Sequence, residues 1–157
     1  MNSTVEQMDA VVARLLSYES PTSGTTVARL TAARVYNEHG GKYVVPATAK
    51  FPHVTVRKVG AGSDLQVVSR ENFDVEILVH DRTRPRAHHC EAIADVVEQA
   101  MLSWLESSAA VGLTVGLSVR RDTLPMVDSA THLREVVTVR LLVGCFAWSK
   151  RITEVFA

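Results

Sequence analysis

Apolar side chains recur along this chain with two periods, and the changes of period mark its elements. Val5, Met8, Val12, Leu15 and Leu16 follow three- and four-residue steps. That spacing sets one stripe of an α-helix against a core, so it predicts a helix over roughly residues 4 to 18. Ser3 with Glu6 has the form of a capping box for its first amides. The small, polar run Glu19-Ser20-Pro21-Thr22-Ser23-Gly24 then ends the helix. Thr25 to Tyr36 carries both periods: Val27, Leu30 and Ala33 have helical spacing, whereas Arg34-Val35-Tyr36 favours an extended chain. His39-Gly40-Gly41 predicts a turn, and Tyr43-Val44-Val45 a short extended piece that Pro46 keeps out of helical space.

From His53 the period is two. Val54 and Val56 point one way, Arg57 and Lys58 close the run with Val59, and Gly60-Ala61-Gly62-Ser63-Asp64 supplies a flexible turn with Leu65 to Ser69 as a continuation. Phe73, Val75, Ile77 and Val79 alternate with Asp74, Glu76 and His80, the pattern of a half-buried strand. Thr83 to Pro85 then opens a second helix, where Cys90, Ile93, Ala94, Val97, Met101, Trp104 and Leu105 line one face for about five turns. Leu113, Val115, Leu117 and Val119 alternate toward Arg120-Arg121-Asp122, and Val137, Val139, Leu141 and Val143 alternate after the connection from Pro125 to Ala130. These two strands are expected to pair antiparallel. The order lacks regular strand–helix alternation, so the predicted class is α+β. It is a mixed, mainly antiparallel sheet with an N-terminal helix and a long central helix packed on one face. Residues 1–157 make one domain with a short C-terminal tail, 147–157, and no solenoid repeat or low-complexity run interrupts it.

Composition narrows the partners. With 17 basic and 17 acidic residues, no net field draws the whole molecule to nucleic acid or to an anionic membrane, so charge-driven contacts must be local. The N-terminus lacks the basic region of a signal peptide, and Glu6 and Asp9 interrupt the first apolar stretch. No apolar run reaches the roughly 18 residues of a membrane helix, and the expectation is a soluble protein. Cys90 and Cys145 are far apart without C-x-x-C spacing, which suits two buried thiols in a reducing compartment.

Candidate chemistry is sparse. His80-Asp81 followed by His88-His89-Cys90 gathers metal-ligand types, but adjacent helical residues point about 100° apart and cannot all converge on one tetrahedral ion. A Cys90 thiolate near a helix start would suit nucleophilic chemistry, yet Cys90 belongs to the apolar stripe with Ile93 and Val97. Gly40-Gly41-Lys42 and Gly60-Ala61-Gly62 lack the spacing of phosphate-binding loops. No G-x-S-x-G elbow occurs, and Glu71 with Asp74 or Asp95 with Glu98 fall on solvent-facing positions unsuited to acid–base work. No catalytic residue, metal or cofactor is therefore expected. Specific DNA recognition is not expected either, because the basic clusters lack stacking aromatics.

The stretches Ala33-Arg34-Val35-Tyr36, Lys50-Phe51-Pro52-His53-Val54-Thr55-Val56 and Asn72-Phe73-Asp74-Val75-Glu76-Ile77-Leu78-Val79, in this element order, resemble the tail terminator and tail completion proteins of long-tailed phages. In that family an N-terminal helix precedes an RVY segment and a PxVTV strand, an FxVEI strand leads through a charged turn into a long helix, and two strands close the sheet. The resemblance runs from the first helix to about Gly144. It implies a non-enzymatic virion protein of the tail or neck, made in the host cytoplasm. Its copies would form a ring, commonly a hexamer, between the last tail-tube ring and the head connector or stopper, with genome DNA passing through the lumen without specific recognition and no membrane contact. The alternatives are a head-closure or adaptor protein of the same neck, or a small metal-binding domain or enzyme.

Five residues are candidates for an interface. Arg82, Arg84 and Arg86 crowd the turn before the second helix, where the helix dipole disfavours each exposed cation by about 0.3–1 kcal/mol. Helix stability does not account for them. They are a solvated turn, or a subunit or tail-tube contact in which a neighbour supplies carboxylates to the planar guanidinium forks, or, less favoured because tight contacts would hinder DNA transit, a contact with phosphates of the passing genome. Trp148 and Phe156, in the tail, either anchor a partner or fold back on the sheet.

Overall fold

The computed structural model describes residues 4–63, 70–82, 89–104, 113–124 and 136–148. The apolar stripe of the first segment forms α1, Thr4–Ser17, burying Met8, Val11, Val12 and Leu15. Ser3, the expected cap, lies outside the described residues. The ambiguous segment contains both predicted conformations. Thr26 caps a short α2, Val27–Thr31, its hydroxyl accepting from the Arg29 amide at 3.0 Å. Ala32 and Ala33, both at positive φ (52° and 60°), then turn the chain into β1, Val35–Asn37.

Tyr43 departs from expectation. It closes a 3-10 turn, Gly41–Tyr43, rather than starting an extended piece, and only Val44 bridges back to Asn37. The turn is held by Asp9 of α1, whose two carboxylate oxygens accept from the Asn37 side-chain amide at 2.9 Å and the Lys42 backbone amide at 3.1 Å. Gly41, at φ +77°, lets the backbone approach that carboxylate.

The next strand is longer than its apolar run. β2 spans His53–Ser63, so Gly60-Ala61-Gly62-Ser63 is not the predicted turn. Gly60, at φ +64°, instead creates a bulge where the register shifts between Val59 and Gly62. β3 is Arg70–Arg82, α3 is His89–Leu102, β4 is Leu113–Leu124 and β5 is Val136–Trp148. As described, α3 has 14 residues, the same as α1. The described part ends at Leu102, before Trp104, and its predicted opening at Thr83 to Pro85 lies outside the described residues, as do Leu65 to Ser69, Leu105 and the Pro125 to Ala130 connection. β4 continues through Arg120-Arg121-Asp122, and β5 reaches Trp148, two residues into the expected tail. No described helix is long and apolar enough to cross a membrane.

The strands form one five-stranded mixed sheet in the order β1-β2-β3-β5-β4. Only β1–β2 is parallel, and the remaining pairs, including the predicted β4–β5, are antiparallel. Registered rows such as Val54–Val79–Val139 and Val56–Ile77–Leu141 place fully buried side chains on the face that carries the helices, where they meet Met8, Leu15, Ile93, Val97 and Met101. This is the α+β arrangement that the two periods predict. Arg121 of β4 pins α3 to the sheet through Glu91 and through Asp95 at 2.7 Å.

Candidate interface on the helix-free face

Alternation sends the residues between the core positions to the other face, and among the described residues no helix packs there. Two ion pairs cross it. Arg57 donates to Glu76 at 2.6 Å across β2–β3 and approaches Glu38 at 3.7 Å. Glu76, expected to face solvent, is thereby a buried carboxylate with 7% exposure, held by an opposite charge as burial requires. On β5, Arg140 reaches Asp122 at 3.1 Å, yet its Nε is buried without a hydrogen-bond partner among the described residues.

Toward the Arg82 end of β3 the face gathers rings. His53 and His80 lie opposite each other in register, with centroids 4.8 Å apart. Phe51 lies 5.2 Å and Tyr36 6.2 Å from the His53 ring. The His80 nitrogens sit 3.4 Å from the Thr55 hydroxyl and 3.1 Å from that of Thr138. Burial, and then the charge of His53, lower the His80 pKa from its ordinary 6.5 to about 4. Burial also lowers that of His53, helped by Arg34 and opposed by the Lys50 carbonyl. Both rings are neutral at pH 7. This cluster was not among the sequence candidates: alternation assigns His53 and His80 to one face, but only the β2–β3 register brings the rings together.

The suspected metal ligands are dispersed by the same alternation. His80 faces the open side, whereas Asp81, 7% exposed, turns to the helix side and meets His89 Nδ1 at 2.9 Å. Cys90 is in the core with its thiol directed at the Val79 carbonyl, 3.2 Å away. Burial raises its pKa to about 11, and that of Cys145 to about 12 with a smaller push from Asp74, so neither sulfur is poised as a thiolate. His88 lies outside the described residues, among which no three ligand-type side chains gather.

Of the predicted interface residues, Arg82 ends β3, exposed, with its guanidinium 5.6 Å from the Phe51 ring centre. Trp148 ends β5 and pairs with Arg70, whereas Arg82 pairs with Val136. The two candidates therefore lie at opposite ends of the β3–β5 ladder, roughly 40 Å apart at about 3.3 Å per residue, and cannot belong to one small patch. Arg84, Arg86 and Phe156 lie outside the described residues.

The chain is similar to a chain from the virion of a native gene transfer agent particle, at 17% identity and a TM-score of 0.62, covering 95% of this chain and 100% of that one. The two share a fold. No protein-family model matches the sequence, and no curated protein does.

The shared fold spans essentially the whole of both chains. Similar architecture does not carry function by itself.

Proposed function

We propose that the chain is a structural subunit of a phage-like virion, a tail terminator whose copies close into a hexameric ring that caps the tail tube and joins it to the head connector. The observation that carries this is the placement of the three motif segments. RVY lies at β1, PHVTV enters β2 and FDVEI is the middle of β3, and they lie side by side with Val35 registered on Val54 and Val54 on Val79. Motifs distant in sequence thus form one contiguous piece of sheet, within a fold shared with a gene transfer agent virion chain.

The site chemistry supports a structural role. The cysteines are buried with raised pKa values, and two ion pairs, Arg57–Glu76 and Arg140–Asp122, lie on the open face. A ring needs two different surfaces on each subunit, because successive copies meet head to tail. The arginine turn, beginning at the exposed Arg82, is one such surface, directed at carboxylates of a neighbouring subunit or of the tube. DNA crosses the lumen without sequence-specific contact.

Replacing Arg82, Arg84 and Arg86 together by Ser should leave the circular dichroism spectrum and melting curve unchanged and abolish capping of tail tubes in vitro. Normal capping by the triple variant would assign the arginines to a solvated turn.

A further inference from the structure

Two patches of opposite charge face away from each other on this subunit. The first is the corner of the helix-free face where Phe51 leads into β2. Arg34 donates to the Phe51 and Pro52 carbonyls at 3.2 and 3.4 Å, and the Arg82 guanidinium lies 5.6 Å from the centre of the Phe51 ring. Two guanidinium groups thus gather on one residue, with Lys50 exposed next to it in the chain. Neither arginine makes an ion pair among the described residues. His53 and His80, both neutral at pH 7, extend the corner with ring surface and bring no balancing charge. The corner is positive and partly aromatic.

The second patch is the outward face of α3, on the other side of the sheet. Asp95, Glu98 and Leu102 follow one another at three- and four-residue steps and so form one ridge. The Asp95 side chain is 61% exposed and that of Glu98 35%, and Leu102 is an exposed large hydrophobic residue. Arg121 reaches Asp95 at 2.7 Å and stands 3.9 Å from Glu98 while also holding Glu91. One guanidinium cannot balance both Asp95 and Glu98, so the ridge is negative with an apolar end. The two patches match in charge and in apolar content, yet one chain cannot join its own pair. They lie on opposite faces of the sheet, and the strands beside them, β2 and β4, are three strand spacings apart, about 14 Å at about 4.8 Å each. A second copy can bring its ridge to the corner, and repetition of that head-to-tail step is what generates a ring.

We propose that the α3 ridge of one copy, Asp95, Glu98 and Leu102, docks on the Arg34–Phe51–Arg82 corner of the next. This rests on the ring reading and deepens it by naming both halves of the contact between successive subunits. Guanidinium–carboxylate pairing sets the orientation, and Phe51 against Leu102 supplies an apolar centre. The carboxylates that receive Arg82 then belong to a second copy of this chain rather than to the tube.

Charge swaps in the full-length chain test the contact, read by sedimentation equilibrium at low salt, where ionic contacts are least screened. Arg82→Glu and Glu98→Lys should each weaken self-association at least tenfold, because each sets like charges against one another. An equal mixture of the two variants should associate as the parent does, since alternating copies restore opposite charges at every contact. Leu102→Lys, which leaves the carboxylates around Arg121 in place, should replace Glu98→Lys in the mixture with the same result. Failure of both mixtures to associate, when every variant keeps the parent's circular dichroism spectrum, would overturn the proposal. So would single variants that associate no more weakly than the parent. Negative-stain images keep the two readings apart: closed rings of the parent that persist in both single variants remove this contact alone, whereas parent chains that associate, respond to the swaps and never close remove the ring and keep the contact.

Discussion

Lowering the pH from 7.5 to 5 should cost this fold about 1–2 kcal/mol through a single side chain, His80. Its ring lies between the Thr55 and Thr138 hydroxyls and against His53, and burial followed by the charge of His53 brings its pKa from 6.5 to about 4. A histidine whose pKa is lowered in the folded state binds a proton more tightly when unfolded. The stabilisation is therefore complete above about pH 6.5 and is lost as the pH falls toward 4. At about 1.4 kcal/mol per unit the whole window corresponds to about 3.5 kcal/mol. By pH 5 roughly two thirds of that is lost, and the ring's partial contact with water reduces the figure to the stated range. The assay is urea denaturation of the parent and of His80→Gln at both pH values. The carboxylates are common to the two proteins, so the difference between their pH dependences isolates the imidazole. Equal losses of stability in the two proteins between pH 7.5 and 5 would refute the reasoning.

Two further perturbations probe the frame behind the open face. Ile93 is fully buried between α3 and the sheet, so Ile93→Ala should lower stability by about 2–5 kcal/mol. An unchanged melting temperature would remove it from the core. Gly41→Ala combines positive φ with a Cβ only 2.5 Å from Asp9 Oδ2 and 2.6 Å from Val5 Cγ1. It should cost about 2–4 kcal/mol through backbone strain and loss of the Asp9 hydrogen bonds. A calorimetric melt indistinguishable from that of the parent would mean that Asp9 does not clasp this turn.

Much of the fold was legible because its core is built on clean periods. The alternation at Phe73 to Val79 and at Val137 to Val143 became the two interior strands β3 and β5, each with one face in the core, and the stripe from Cys90 to Met101 became the helix above them. Legibility failed where backbone conformation outweighed pattern. Gly60-Ala61-Gly62 has the composition of a turn, yet cross-strand pairing with Asn72 and Glu71 carries the ladder past it as a bulge. At Ala32 and Ala33 positive φ joins a helix to a strand without the usual glycine, so neither period prevailed in the sequence. Arg120-Arg121-Asp122 reads as a charged end, but Arg121 and Asp122 have partners on α3 and β5 that local sequence does not display. The site was less legible than the fold. Metal-ligand types adjacent in sequence diverge to opposite faces of a strand, whereas the ring cluster at His53 and His80 arises only when β2 and β3 are brought into register.

The central claim is that copies of this chain cap a tail tube as a closed ring, and electron microscopy of negatively stained tubes tests it most directly. Purified protein incubated with tail tubes assembled from the tube protein of the same phage-like particle should place one ring at one end of each tube and stop further growth. Tubes that keep bare ends and continue to lengthen in the presence of excess, folded protein would contradict the account.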